Sequence, residues 1–289
     1  MPNPPPATPP WLPPLLVGGA ILLLWVPLML LTNWSGSQDL LARGNADCSS
    51  VFACAFQLRN PIIPSPPQLL RGFYQMATPL FSTDTVLFNG LITLGETLLG
   101  LALALTLGLL TATLLVMSRA SERMILPWIV ASQNVPIVAL APVLAVLLGQ
   151  YGVQGLLPKG IVAAYIAFFP LSIGIAKGLR SVPSLQLDLM HTYHARAWQV
   201  YVWLRLPIAL PILLTSLKIS AAMALVGSIV AEISIVSFAG LGPMLLSRSY
   251  YSDMVGLWVI MLVAAGLGIG LVQSIDLLEK RLLFWQRQR

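Results

Sequence analysis

Long intervals without a charged residue are the feature that most constrains what this chain can fold into. No Asp, Glu, Lys or Arg precedes Asp39, and none occurs between Ile125 and Pro158. A segment in hydrocarbon must satisfy its own backbone polar groups, and a helix of about 20 mainly apolar residues does so. Only 9% of the residues are charged, against about a quarter in soluble domains. The sequence therefore predicts an all-α, polytopic integral membrane protein.

The apolar intervals predict six transmembrane helices. They cover residues 15–31, 86–117, 125–149, 160–176, 207–230 and 254–274. Pro136 and Pro142 fall inside the third interval, and proline in a helix interior removes a hydrogen bond and produces a kink. We therefore expect the third helix to be bent.

The same intervals divide the chain into segments. We predict a Pro-rich cytoplasmic tail at 1–14, a first transmembrane helix at 15–32, a periplasmic loop at 33–84, a core at 85–276 with five transmembrane helices and a cytoplasmic loop at 180–206, and a basic cytoplasmic tail at 277–289. A cleavable signal peptide is the alternative for the first helix, but the residues before it include no Lys or Arg.

The distribution of Lys and Arg predicts the orientation. Ten of the sixteen basic residues fall in the loops on the side of the two termini, five fall on the other side, and Lys218 lies inside a helix. Because cytoplasmic loops carry the excess of Lys and Arg, both termini should be cytoplasmic.

Two cysteines, Cys48 and Cys54, lie in the predicted periplasmic loop. An oxidising compartment permits a local disulfide between them. Two unpaired thiols are an equally open alternative, because sequence spacing does not supply the geometry that a disulfide requires.

The cytoplasmic segment between the fourth and fifth helices is too long for a plain turn. We predict an amphipathic helix over 184–200, with Ser181 or Ser184 as its N-cap and Leu185, Leu189 and Tyr193 on its apolar face. Such a helix could dock into a groove of a partner protein or lie at the membrane interface. The residue pattern alone favours neither.

A resemblance to a known family distinguishes these alternatives. The segment DLMHTYHARAWQVYVWLRLPIALP resembles the cytoplasmic loop signature of the permease subunits of bacterial ABC importers. Asp188 stands at the family's Glu, His194 at its Gly, and Leu206, Pro207 and Pro211 at its terminal Leu-Pro and Pro. Further portions, such as ASQNVPIVALAPVLAVLLG and LKISAAMALVGSIVAEIS, are similar to permeases of the nitrate, taurine, aliphatic-sulfonate and thiamine-precursor branch.

The resemblance implies a type I ABC importer permease fold, with a coupling helix between helices 4 and 5. It implies a second permease copy, two cytoplasmic ATPase subunits that bind ATP and Mg, and a periplasmic or lipoprotein substrate-binding protein. The chain lacks the motif G-x-x-x-x-G-K-[ST], so ATP hydrolysis is expected in the partner and no cofactor in this chain. The residues expected to contact the ATPase are Asp188, His191, Thr192, His194, Ala195 and Arg196.

Polar residues inside predicted transmembrane helices are the candidates for lining the translocation pathway. Such groups are costly in hydrocarbon and usually face the protein interior or a wet cavity. Interhelical hydrogen bonds, worth about 0.6 to 2 kcal/mol each, are the alternative role. The candidates are Glu96, Gln133, Asn134, Ser228 and Glu232.

Two of these groups and one lysine have specific alternatives. Glu96 could couple transport to a proton or make an interhelical hydrogen bond. Glu232 could pair with Arg248 or cap a short re-entrant helix near Gly240. Lys218 is close enough to the interface for its ammonium to reach water.

Other function classes fit the sequence less well. A stand-alone ion-coupled secondary transporter commonly contains an internal repeat, and we find none. An intramembrane enzyme needs a catalytic motif, and H-E-x-x-H and G-x-S-x-G do not occur. His191 and His194 lack an evident third zinc ligand, so no metal is expected, and the net charge of +6 requires no nucleic acid.

Overall fold

The structure is a computed structural model that describes residues 12–42, 48–79, 82–235 and 239–283. The predicted N-terminal tail therefore lies largely outside the described residues, as does the end of the basic C-terminal tail. Within the described ranges all regular secondary structure is helical. The predicted all-α class is confirmed.

The described part of the chain contains thirteen α-helices and one π-helical turn. They are α1 (Leu12–Thr32), α2 (Trp34–Ala42), α3 (Val51–Ala55), α4 (Pro66–Ala77), α5 (Val86–Met117), α6 (Arg119–Ser132), α7 (Ile137–Gln150), α8 (Leu156–Arg180), α9 (Ser184–Thr192), α10 (Ala197–Val200), the π-turn (Tyr201–Arg205), α11 (Leu206–Ser234), α12 (Leu241–Tyr250) and α13 (Met254–Leu282).

The chain forms two compact units. The first comprises residues 1–78 and 247–259, and the second comprises residues 79–246 and 260–289. The five predicted pathway residues and the six predicted coupling residues all belong to the second unit.

In the first unit, the side chains of Trp25 on α1 and of Asn33, the residue that follows α1, hold the Pro-rich stretch before α4. Trp25 Nε1 donates to Pro64 O at 3.0 Å, Asn33 Nδ2 donates to Ile63 O at 2.8 Å, and Asn33 Oδ1 accepts from Ile62 N at 2.8 Å. The Trp25 ring packs edge-on against Trp258 with centroids 5.0 Å apart. An extended stretch with few backbone donors is thus fixed by side-chain hydrogen bonds.

The predicted periplasmic loop contains three short helices, α2, α3 and α4. A disulfide joins Cys48 to Cys54, with Cα atoms 5.2 Å apart. Ser65 begins α4, where Gln68 Oε1 accepts from its backbone N–H at 2.9 Å. The N-terminal hydrogen bonds of this short helix are therefore satisfied locally.

The second unit is built around α5, α8 and α11, which pack side by side along most of their lengths. A small-residue stripe runs along α5 at every fourth position, formed by Gly100, Ala104, Gly108 and Ala112. A Cβ at Gly100 would lie 2.8 Å from the carbonyl oxygen of Gly160 on α8. Small residues at this spacing allow membrane helices to approach closely.

Five helices are long and apolar enough to span a membrane, and the bent pair α6–α7 makes up to six among the described residues. Helix α5 covers the predicted second span, whereas α8, α11 and α13 are each longer than predicted. The third span is bent, as predicted, but the bend is larger than a kink: the axes of α6 and α7 differ by 100°. Pro136 is the N-cap residue of α7, and it has no N–H with which to continue the helical hydrogen bonds of α6.

Two segment predictions are corrected by the helix bounds. Helix α13 continues to Leu282, so the predicted tail at 277–289 begins as helix. Helix α8 begins at Leu156, so Lys159 belongs to a buried helical turn and not to an outer loop. The count of loop charges that predicted the orientation therefore included one residue, Lys159, that is buried inside the protein.

Candidate functional site

The coupling segment, residues 181–205, contains a helix end that the sequence did not predict. Helix α9 stops at Thr192, so the single helix predicted over 184–200 is wrong. His194 adopts a left-handed φ of 52°, while its N–H donates to His191 O and that of Ala195 donates to Met190 O. These two bonds form a Schellman motif, whose left-handed residue is usually glycine. The family signature has glycine at this position.

The apolar face predicted for α9 points outward. Leu185, Leu189 and Tyr193 are 78%, 55% and 75% exposed, and α9 buries no residue. On α9 itself, only Leu187 and Met190 are half-buried, and the other residues are exposed. Three large apolar side chains on successive turns thus form an unpartnered surface, which we term the α9 face.

The predicted ATPase contacts lie close to this face. Five of the six are exposed and Ala195 is half-buried. Their contact role stays a prediction. The six residues are Asp188, His191, Thr192, His194, Ala195 and Arg196.

After the Schellman motif the backbone remains helical from Ala197 to Ser234. The π-turn lies within this stretch, where Leu206 N–H donates to Tyr201 O, five residues earlier. Pro207 has no N–H to donate to Trp203 O, and a π-turn is a common accommodation of such a disruption. The part of the coupling segment from Ala197 onward therefore continues into transmembrane helix α11 without an intervening loop.

Side chains fasten this junction to α5 and α8. The hydroxyls of Thr113 and Tyr201 are 2.6 Å apart, and Arg205 Nη1 donates to Leu179 O at 3.1 Å. Arg180 donates to Leu115 O at 2.7 Å and pairs with Glu122 at 2.6 Å. The arginines thus satisfy carbonyls near the C-terminal ends of α5 and α8, where a cation is favoured by the helix dipole.

A buried polar cluster joins α5, α8, α11 and the start of α12. Lys159 Nζ contacts Glu96 Oε1 at 2.6 Å, with both residues less than 10% exposed, and lies 3.5 Å from Ala239 O. The second carboxyl oxygen of Glu96 has no hydrogen-bond partner among the described residues. The Lys159 ammonium is therefore the group that offsets burial of the Glu96 charge. The interhelical role considered for Glu96 is present.

Glu232 caps the start of α12. Its carboxylate accepts from the Thr93 hydroxyl and from Gly242 N–H, both at 2.6 Å. Gly240, at a left-handed φ of 122°, passes so close to Glu232 that a side chain would collide with the carboxylate. The capping role considered for Glu232 is thus present, and Arg248 pairs with Asp253 instead.

Lys159, Thr93 and Asn89 complete this cluster and were not predicted from the sequence. Asn89 Oδ1 accepts from Gly240 N–H at 2.7 Å. The available signal was the spacing of Asn89, Thr93 and Glu96, which places polar groups on one face of an apolar helix. Lys159 carried no comparable signal, because it stands at the boundary of an apolar interval.

The structure separates the five predicted pathway residues into two groups. Glu96, Ser228 and Glu232 are at most 1% exposed, and Ser228 shares a 2.8 Å hydrogen bond with Thr97. Gln133 and Asn134 are exposed at the break between α6 and α7. A pathway role stays a prediction for all five, and the contacts of the first group are those of residues that hold helices together.

A cavity of about 470 Å³ opens at this break; we term it the kink cavity. Tyr165 on α8 forms one part of its wall and donates its hydroxyl hydrogen to Ser132 O, at the end of α6. The lining residues are Ser132, Gln133, Val135, Pro136, Ile137, Tyr165, Ile166 and Phe169.

The sequence suggested that the Lys218 ammonium reaches water at the interface. In the structure this ammonium also has ion-pair partners. It pairs with both Asp276 and Glu279 on α13. These ion pairs connect α11 and α13 near the end of the bundle that carries the coupling segment. The long apolar stem and charged tip of lysine permit this position within an otherwise apolar helix.

These features define the class: a helical, multi-span membrane protein with an exposed helix, α9, placed just before a long transmembrane helix. Residues 104–284 match the family model for the binding-protein-dependent transport system inner membrane component. The chain belongs to this family and is a multi-pass inner membrane permease component of an ABC importer. The stand-alone secondary transporter is thereby disfavoured.

Two relatives extend the likeness over most of the chain. A probable ABC transporter permease protein of Haemophilus influenzae is 28% identical over 94% of this chain and 96% of that protein. The formylaminopyrimidine transport permease protein ThiX of Halalkalibacterium halodurans is 30% identical over 79% of this chain and 87% of that protein.

A solved structure supports the fold. The crystal structure of an amino acid ABC transporter with histidines matches with a TM-score of 0.54 at 16% identity, covering 74% of this chain and 94% of that chain. The type I permease fold predicted from the sequence is confirmed.

Proposed function

We propose that two copies of this chain form one translocation pathway for a small polar solute of the nitrate, sulfonate or pyrimidine type. Both termini face the cytoplasm, where two ATPase subunits bind ATP and Mg and contact the coupling segment. A periplasmic or lipoprotein substrate-binding protein delivers the solute from outside. The relative named as a formylaminopyrimidine permease supports a solute of this size.

The observation that carries this proposal is an exposed helix, α9, joined by the short turn at 193–196 to a helix that runs unbroken into the buried core. The α9 face presents Leu185, Leu189 and Tyr193 to solvent, as expected of a helix that docks into a partner's groove. Beyond it, the helix from Ala197 to Ser234 ends beside Glu232 and the start of α12. A displacement of α9 pulls on the turn at 193–196, and the unbroken helix from Ala197 transmits the motion to the far end of α11.

The two groups of pathway candidates then have different roles. Gln133 and Asn134 contact the solute, because they are exposed at a helix break where polar backbone and amide groups meet. Glu96, Ser228 and Glu232 keep α5, α8, α11 and α12 in register. These four helices therefore move together, as one packed body, when α9 is displaced.

Tyr193→Glu tests the docking of the ATPase. We expect the ATPase that co-purifies with the permease to fall more than about tenfold, because an aromatic anchor is replaced by a charge in a buried interface. Tyr251→Glu is the matched control, since Tyr251 is also 75% exposed but lies outside the coupling segment. Membrane insertion of both variants should equal that of the parent protein.

Reconstituted uptake tests the proposal as a whole. Transport by the purified complex should require ATP. Uptake by this chain alone, driven by an ion gradient in liposomes, would contradict the proposal, as would an unchanged ATPase yield with Tyr193→Glu.

A further inference from the structure

The kink cavity has the dimensions of a small-molecule site. Its volume of about 470 Å³ falls within the range of roughly 300 to 1,000 Å³ that is usual for ligand pockets. It exists because the third span is broken into α6 and α7, whose axes differ by 100°. Tyr165, held by its hydrogen bond to Ser132 O, fixes one wall relative to the break.

The lining combines apolar surface, two aromatic rings and one amide side chain. Tyr165 and Phe169 supply the rings from α8, and Gln133 supplies an amide that both donates and accepts hydrogen bonds. An aromatic ring favours contact with another flat ring in offset or edge-on geometry. A ligand with a planar ring and polar edge atoms matches both kinds of group.

Charge narrows the ligand class further. None of the eight lining residues is charged. The two lysines that lie within the long helices α8 and α11 of the same unit, Lys159 and Lys218, are already paired with carboxylates. An anion entering the kink cavity would lose hydration without gaining a counter-charge, which is strongly unfavourable in an apolar environment.

We propose that the kink cavity binds an uncharged aromatic heterocycle, with Gln133 pairing with its polar edge and Tyr165 and Phe169 contacting its ring. This inference rests on the proposed import function and selects one solute class from the three considered there. It disfavours nitrate and sulfonates as the solute that occupies this cavity.

Saturation-transfer NMR on the intact permease in lipid nanodiscs tests the inference without the ATPase. The uncharged probes are cytosine, thymine and nicotinamide, and the anionic probe is methanesulfonate. We expect saturation transfer to the ring protons of at least one uncharged probe and none to methanesulfonate. If no uncharged ring receives saturation, as when lipid chains fill the cavity, the inference is overturned.

Two substitutions at Gln133 locate the binding. Gln133→Leu keeps the volume but removes the amide, so the dissociation constant of the bound ring should rise about tenfold. Gln133→Lys supplies a cation and should allow methanesulfonate to bind. Gln150→Leu is the matched control, because Gln150 is an exposed glutamine at the end of α7 that does not line the cavity.

The outcomes separate this inference from the proposed function. Equal ring binding by the parent protein and Gln133→Leu, or methanesulfonate binding to the parent protein, would overturn the assignment of the cavity while leaving ATP-driven import intact. Loss of ATP dependence in reconstituted uptake would instead overturn the import function, whatever the NMR shows.

Discussion

Two sets of polar residues in the second unit differ in what surrounds them. Glu96, Lys159 and Glu232 are enclosed where α5, α8 and α11 pack, and each has a charged or hydrogen-bonding partner. Gln133 and Asn134 stand at the break between α6 and α7 and are exposed. Residues of similar polarity therefore hold the helices together in one region and are open to an incoming molecule in the other.

The difference lies in the backbone as much as in the side chains. In the enclosed region the small-residue stripe on α5 brings backbones close together, so polar groups there must be satisfied within the protein. At the break, Pro136 interrupts the helix and leaves a cavity in place of a packed neighbour. The role of a polar residue in a membrane helix thus depends on how closely the neighbouring helices pack around it.

Lys159→Met should have the largest effect. It leaves the Glu96 carboxylate buried without its ion-pair partner, and breaking such a pair costs about 3 to 5 kcal/mol. Thermal unfolding of the purified permease, or its yield in the membrane, should show a pronounced loss.

The double variant Glu96→Leu/Lys159→Leu provides the control for this pair. Replacing both charges with apolar groups should recover most of the stability, because a buried ion pair is often no more stable than an apolar pair. A Lys159→Met variant as stable as the parent protein would show that the buried cluster does not hold the helices together.

Gly100→Ala should have the next largest effect. Alanine normally favours a helix over glycine by about 0.5 to 1 kcal/mol. At Gly100, however, the new Cβ would meet Gly160 O at 2.8 Å, and such overpacking costs about 1 to 3 kcal/mol. The net change should be destabilising in a thermal unfolding measurement.

Gly266→Ala on α13 is the matched control, because a Cβ there has no atom within 4 Å. It should leave the melting temperature unchanged or raise it. If both alanines raise the melting temperature equally, the close approach of α5 and α8 is not as the structure shows.

His194→Gly should have the smallest effect, and it should be stabilising. The left-handed φ of 52° costs a residue with a side chain about 1 kcal/mol relative to glycine. Resistance of the coupling segment to limited proteolysis should increase. His191→Gly, placed within α9, should decrease it, so equal changes in the two variants would contradict the Schellman end.

The sequence predicted the helical class and most spans because long apolar intervals are determined by the bilayer itself. It placed α5 at its observed bounds and anticipated a bend at Pro136. It did not predict that α6 and α7 would diverge by 100°, because a proline predicts a disruption but not the angle that tertiary packing selects.

Partners distant in sequence were the main omission in the candidate site. Glu96 and Lys159 are 63 residues apart, and Thr93 and Glu232 are 139 apart. Periodicity places each polar group on a face of its own helix but does not specify the facing helix. The end of α9 was missed for a local reason. A glycine at position 194 would have indicated a left-handed residue, whereas a histidine does not.

Reactivity of single cysteines tests most directly the claim that the two polar regions differ in function. Cys48 and Cys54 are the chain's two cysteines and are joined to each other, so Gln133→Cys and Ser228→Cys each introduce one free thiol. In the reconstituted complex during ATP turnover, a membrane-impermeant thiol reagent should modify the Gln133→Cys variant and leave the Ser228→Cys variant unmodified. Rapid modification of Ser228→Cys together with protection of Gln133→Cys would contradict the account.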